Sequence, residues 1–183
     1  MKKISLFLLC FALTFSVFAK EDESCFETSF YLNNQYSLGE LSKLSLGNVG
    51  SGLSLGYTLP SFSQLGFSAR AEFVGNFPKQ ERLSNWMAFT CTGGVFFNLN
   101  ITDKIMFRPE VSYGVILNFP QKNGEALVYA DQVIQVATAL HFSTEKLKAE
   151  GVMIELTPVY TLFPEKSDLG HYIGFRAGVS YKL

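Results

Sequence analysis

Charge is scarce in this chain. Only 17% of its 183 residues are Asp, Glu, Lys or Arg, and the formal net charge is −1. That balance removes the electrostatic basis for holding nucleic acid, whose phosphates demand a basic face. Long apolar runs are scarce as well. After the first residues no run of 18 or more apolar residues occurs, so nothing further reads as a transmembrane helix. Cysteine numbers three. Cys10 lies in the leading apolar stretch, Cys25 at the start of the first expected strand, and Cys91 mid-strand on an apolar face. Two such positions are poorly placed for a disulfide, so two thiols are expected, with Cys91 acting as a small hydrophobe.

What is present is apolar surface in short pieces: 48% of residues are hydrophobic. Residues 1–19 read as a cleaved signal peptide. Lys2 and Lys3 supply the positive start, Ile4 to Phe18 the apolar stretch, and Val17 and Ala19 the small-residue cleavage site, with Glu21, Asp22 and Glu23 following at once. Residues 20–183 are then one domain. An exported chain this apolar, with no spanning helix, fits either a membrane β-barrel or a soluble β-barrel with an apolar pocket.

The tail separates the two. From His171 to Leu183 one face carries His171, Ile173, Phe175, Ala177, Val179, Tyr181 and Leu183; the other carries Tyr172, Gly174, Arg176, Gly178, Ser180 and Lys182. Period-two alternation is a strand. Glycine, serine and a lone arginine suit a cramped polar lumen whose outer wall touches lipid.

Similar alternation predicts strands near residues 26–36, 50–59, 65–76, 86–98, 105–119, 131–142 and 151–163. With the tail this gives eight, an all-β antiparallel up-and-down transmembrane barrel, each strand long enough for a tilted span of roughly 9–11 residues. Apolar sets such as Phe67, Ala69, Ala71 and Phe73 are expected outside, with Ser68, Arg70 and Glu72 inside. Pro109 and Pro158 fall within strands, where a bulge is expected. Links at 60–64 and 99–103 are short, whereas 37–49, 77–85 and 120–130 are longer. Both termini therefore belong to the short-turn rim. If the 38–49 segment pairs as extra strands, the count becomes ten.

The pattern resembles the small eight-stranded outer-membrane proteins of the OmpA transmembrane-domain, OmpX and OmpW kind. The most specific part is the chain end, where Arg176, Gly178, Tyr181 and Leu183 fill a polar–x–Gly–x–x–aromatic–x–aromatic barrel-assembly signal, Leu183 departing from the terminal aromatic. The resemblance implies a bacterial outer-membrane location and no cofactor. As partners it implies outer-membrane lipids and a lipopolysaccharide-type glycolipid, the barrel-assembly machinery and periplasmic chaperones, and a surface ligand reached through the loops. It also implies an internal ionic network that blocks water passage. No OmpA-type periplasmic domain is expected, since the last strand ends the chain.

Inward ionisable residues fall at similar heights: Arg70, Glu72, Arg108, Glu110, Glu155 and Arg176. Buried charges must pair, and guanidinium forks match carboxylates, so one layer of three arginines and three glutamates is expected. Arg108 would pair with Glu110 or Glu72. His141, Ser143 and Glu155 invite a serine-hydrolase reading, which their inward position at the short-turn end argues against; His171 is too distant to complete a metal site. Inward Tyr31 and Phe96 read as packing rather than ligand stacking. Tyr57, Trp86, Phe89, Phe97, Phe107, Phe119, Tyr160 and Tyr172 are assigned to strand ends or the outer face, where aromatics form interfacial girdles.

The function expected is a non-enzymatic barrel that scaffolds surface loops around a filled lumen. The alternatives are an OmpW-like conduit for small or apolar molecules, a soluble lipocalin-like binding barrel, and a lipid A-modifying enzyme.

Overall fold

Alternation with two kinds of face forces the sheet to choose which side meets protein and which meets its surroundings. The computed structural model, which describes residues 25–79, 85–122, 125–144, 151–164 and 169–183, makes that choice by closing the sheet on itself. The strands are β1 (Phe26–Gly39), β2 (Ser45–Leu59), β3 (Phe62–Pro78), β4 (Trp86–Phe97), β5 (Leu99–Thr102), β6 (Ile105–Phe119), β9 (Tyr129–Ser143), β10 (Val152–Pro164) and β11 (Leu169–Lys182), with a two-residue pair β7 (Gln121–Lys122) and β8 (Glu125–Ala126) between β6 and β9. β5 continues the β4–β6 ladder after Asn98, so β4 and β5 form one stave.

The barrel is a closed eight-stranded antiparallel ring in the order β1, β2, β3, β4/β5, β6, β9, β10, β11, with β11 returning to β1. Every neighbour follows the previous one in the chain, which is the up-and-down topology. Closure leaves no unpaired sheet edge, the condition for a strand protein to sit in hydrocarbon. The signal peptide expected at 1–19 lies outside the described residues.

The faces divide as the alternation predicts. Phe30, Leu32, Leu53 and Phe175 point outward and are 55%, 62%, 59% and 45% exposed, whereas Arg176 is wholly enclosed. An apolar exterior this continuous is a lipid-facing wall. It reverses the lipocalin-like arrangement, in which the apolar face is inside. Cys91 lies on the outer wall, and neither Cys25 nor Cys91 forms a disulfide.

Three expectations need correction. The 37–49 link is mostly strand. β1 runs to Gly39, whose φ of 62° is a conformation glycine adopts at little cost, and a single 3₁₀ turn, η1 (Glu40–Lys43), leads into β2. The segment thus lengthens two staves instead of adding new ones, and the ten-strand alternative falls. The prolines introduce no bulge. The β6–β9 register passes through Pro109 unbroken, and β10–β9 pairing lapses at Thr157 and Pro158 but resumes in the same register. A missing N–H removes a ladder bond there without adding a residue. Finally, Trp86 and Tyr172 are not girdle residues, since both turn into the loop-rim mouth of the barrel.

Candidate functional site

The lumen is the only interior this fold has, and three groups of side chain fill it. Nearest the termini is an ionic tier. Arg108 on β6 donates from Nη1 and Nη2 to the two Glu27 carboxylate oxygens on β1, both at 2.8 Å, and from Nε to Asn98 Oδ1 at 2.7 Å. β1 and β6 stand opposite one another in the ring, so this bidentate fork is a brace across the full lumen. Arg70 on β3 donates to Glu110 on β6 at 2.6 Å, and Ser68 Oγ donates to the same carboxylate at 2.7 Å. Arg176 on β11 pairs with Glu72 on β3, and its Nη2 also donates to Gln135 at 2.8 Å.

The three ion pairs all join strands that are not neighbours. The expected residues are therefore largely brought together, but not in the expected pairs. Arg108 binds Glu27 rather than Glu110 or Glu72, because barrel shear places the opposite wall within its reach. Glu155 forms none of these bridges and accepts a hydrogen bond from Thr157 at 2.7 Å.

Glu27 was absent from the sequence-derived set. Its signal was available in parity: with Phe26, Thr28, Phe30 and Leu32 outward, Glu27 must point in. His141, also enclosed, lies with Nδ1 3.3 Å from Ser180 Oγ and 4.0 Å from Glu27 Oε1. His171 faces outward, with its Nδ1 2.7 Å from the Tyr160 hydroxyl.

Two aromatic rings belong to this tier. The Arg108 guanidinium lies over Phe96 at 4.4 Å, and that of Arg176 over Tyr31 at 5.3 Å, both within cation–π range. The Tyr31 hydroxyl donates to Glu72 at 3.0 Å. Tyr31 and Phe96 are thus supports for arginines. Room for Tyr31 comes from the flanking glycines. A Cβ at Gly52 would stand 2.6 Å from its Cζ and Oη, and one at Gly178 would stand 2.6 Å from its Cβ. Inward Gly52 and Gly178 are therefore the counterpart of inward Tyr31 on the stave between them.

On the β1–β3 side lies a neutral amide group of Asn33, Gln35, Asn48 and Asn76, all buried, with Asn76 nearer the loop rim than Val74 on the same strand. Tyr172 donates to Asn76 at 3.0 Å, bridging β11 and β3. The third group, toward the loop rim, is apolar: Val74, Ala88, Ile116, Val133, Phe163 and Tyr172 pack as one cluster, with Leu41 of η1 against it. Phe163 and Tyr172 meet edge to face at 5.3 Å. No expectation of an inward apolar cluster came from the alternation. The trace it leaves is a set of apolar doublets toward one end of five staves: Phe73–Val74, Val115–Ile116, Val133–Ile134, Leu162–Phe163 and Tyr172–Ile173. There both faces of the strand are greasy.

A closed antiparallel barrel with an apolar wall and a cross-braced lumen defines the class: the fold is that of the small eight-stranded outer-membrane barrels. The chain is similar to the crystal structure of Neisserial surface protein A, NspA, with a TM-score of 0.72 at 12% identity over 89% of this chain and 100% of that one. It is also similar to Ail, the attachment invasion locus protein of Yersinia pestis, with a TM-score of 0.55 at 12% identity over 86% and 99%. With OprG from Pseudomonas aeruginosa the values are 0.50, 10%, 88% and 97%. At these identities the likeness is one of fold. No protein-family model and no curated protein sequence matches the chain.

Proposed function

We propose that this chain is an integral outer-membrane protein, not an enzyme, that holds its loops at the cell surface on a barrel whose lumen conducts nothing. The observation that carries the reading is the filling of the lumen by two seals in series, the cross-lumen bridges of Arg70, Arg108 and Arg176 and the apolar cluster around Phe163 and Tyr172. An eight-stranded barrel has room for little beyond its own side chains. Apart from the lapse between β10 and β9 at Thr157 and Pro158 and shifts near the ends of β2 and at β5, the ladders between neighbouring staves are unbroken, which gives little support to the alternative conduit with a lateral exit.

The non-enzymatic reading is supported by the surroundings of His141, which lies within the ionic tier at the short-turn end, beside Ser180 and Glu27. Acyl chains of an outer leaflet would not reach it. A surface role is supported by the names of the neighbours NspA and Ail, a surface protein and an attachment invasion locus protein.

The partners follow from the same surfaces: lipid and a lipopolysaccharide-type glycolipid against the wall, a loop ligand outside the cell, and periplasmic chaperones and assembly machinery during export. Arg176, Gly178, Tyr181 and Leu183 form the assembly signal, the first two facing the lumen and the last two the exterior.

Two measurements test the proposal. Detergent-folded protein should migrate differently on a gel before and after boiling, and in planar bilayers it should give no steady unit conductance. Stable single-channel steps from the wild-type chain would overturn the filled-lumen reading.

A further inference from the structure

The apolar cluster does not fill the barrel to its rim. Above it opens a cavity of about 530 Å³, within the range of small-molecule sites. Its walls come from η1, from the loop-rim ends of β4, β6, β9 and β10, and from the start of β11. Four aromatic residues line it: Trp86, Tyr129, Phe163 and Tyr172. Three charged residues share that lining. Lys43 and Glu40 are joined to each other, with Nζ 2.7 and 2.6 Å from the two carboxylate oxygens. The third, Asp131, accepts one hydrogen bond, from the Asn118 amide at 3.2 Å, and has no cationic partner among the described residues.

A carboxylate that faces an aromatic-walled cavity without a counter-ion selects for positive charge in two ways. It offers a direct ion pair, and the ring faces around it offer cation–π attraction that grows as water is excluded. The apolar floor at Ile116 and Phe163 adds affinity for a ligand with a hydrophobic body. An anion would meet the Asp131 charge and the electron-rich ring faces, so the cavity discriminates by sign as well as by size. Leu41 and Leu44 line the same space, so a molecule seated there is partly covered by the first loop.

We propose that the loop-rim mouth is a binding site for small organic cations with an apolar body, amines or quaternary ammonium compounds, with Asp131 as the charge-recognising group and Trp86 and Tyr172 as ring walls. Such a site needs no passage through the barrel and is independent of whether the lumen conducts.

Trp86 is the sole tryptophan of the chain, so the site carries its own reporter. The full-length mature chain, refolded in detergent, is titrated with benzyltrimethylammonium, with phenylacetate and with benzyl alcohol while tryptophan emission is followed. The expected result is a saturable change with the cation alone, weakened by added salt. In Asp131→Asn, which keeps the side chain's shape and leaves the boiling-dependent gel shift unaltered, the cation should bind at least about tenfold more weakly. A methyl-group NMR titration of the same samples supplies a second readout should the emission change prove small. Equal binding of the neutral or anionic probe would reduce the mouth to an unselective apolar pocket and overturn the proposal. So would unchanged cation affinity in Asp131→Asn, or no saturable binding by either readout.

Discussion

Arg108 makes three hydrogen bonds, two to Glu27 across the lumen and one to Asn98 on the neighbouring stave, and its guanidinium lies over the Phe96 ring. Removing it strands the Glu27 carboxylate in a closed lumen, and an uncompensated buried charge is far costlier than the pair is beneficial. Arg108→Ala is expected to cost about 3–5 kcal/mol, read as a lower urea midpoint of the refolded barrel. Adding Glu27→Gln should return much of that loss, because no ionised group then remains unpaired. A double variant as unstable as the single one would show that Glu27 is not the partner that matters. The glycine–tyrosine fit is a second local test. Gly52→Ala should destabilise by about 1–3 kcal/mol through overpacking, since its Cβ meets the Tyr31 ring. In a Tyr31→Ala background the same substitution should cost much less.

Among the elements, β11 closes the ring against β1 and carries the residues proposed as the assembly signal. Tyr181 is outward and 45% exposed, so it contributes little to lumen packing. Tyr181→Ala should therefore lower the amount of folded protein recovered from membranes of expressing cells, while refolding of purified chain in detergent proceeds as for wild type. Equal loss in both settings would make Tyr181 a stability residue instead. The eight staves themselves were legible in the sequence because parity is strict: once Phe67 and Phe73 are outside, Arg70 and Glu72 must be inside. Stave ends were less legible. Residues 37–49 look like a polar link, yet Ser37 and Ser45 are inward serines of a continuing strand, and serine suits a loop and a lumen equally.

For the barrel as a whole, the ionic tier lies below the apolar cluster in the lumen, and the filled-lumen proposal makes them two seals in series. Arg176→Ala removes the bridge to Glu72, and Phe163→Ala opens the cluster floor, but each leaves the other seal standing. Neither single variant is expected to conduct steadily in planar bilayers, whereas the double variant should give frequent openings. Steady conductance from Arg176→Ala alone would mean that the apolar cluster is no barrier. The staves run to between thirteen and seventeen residues, more than the roughly 9–11 a bilayer needs. The surplus raises a mouth above the seals.

Strand count, the lipid-facing side and the polarity of the lumen were all written into period two, because one residue of offset exchanges every inward side chain for an outward one. Which charge meets which was not. Arg70, Arg108 and Arg176 find their partners across the lumen, at separations set by closure and shear rather than by spacing along the chain. The apolar cluster and the mouth above it likewise arise only when five greasy stave ends are brought to one height. No single strand contains either of them.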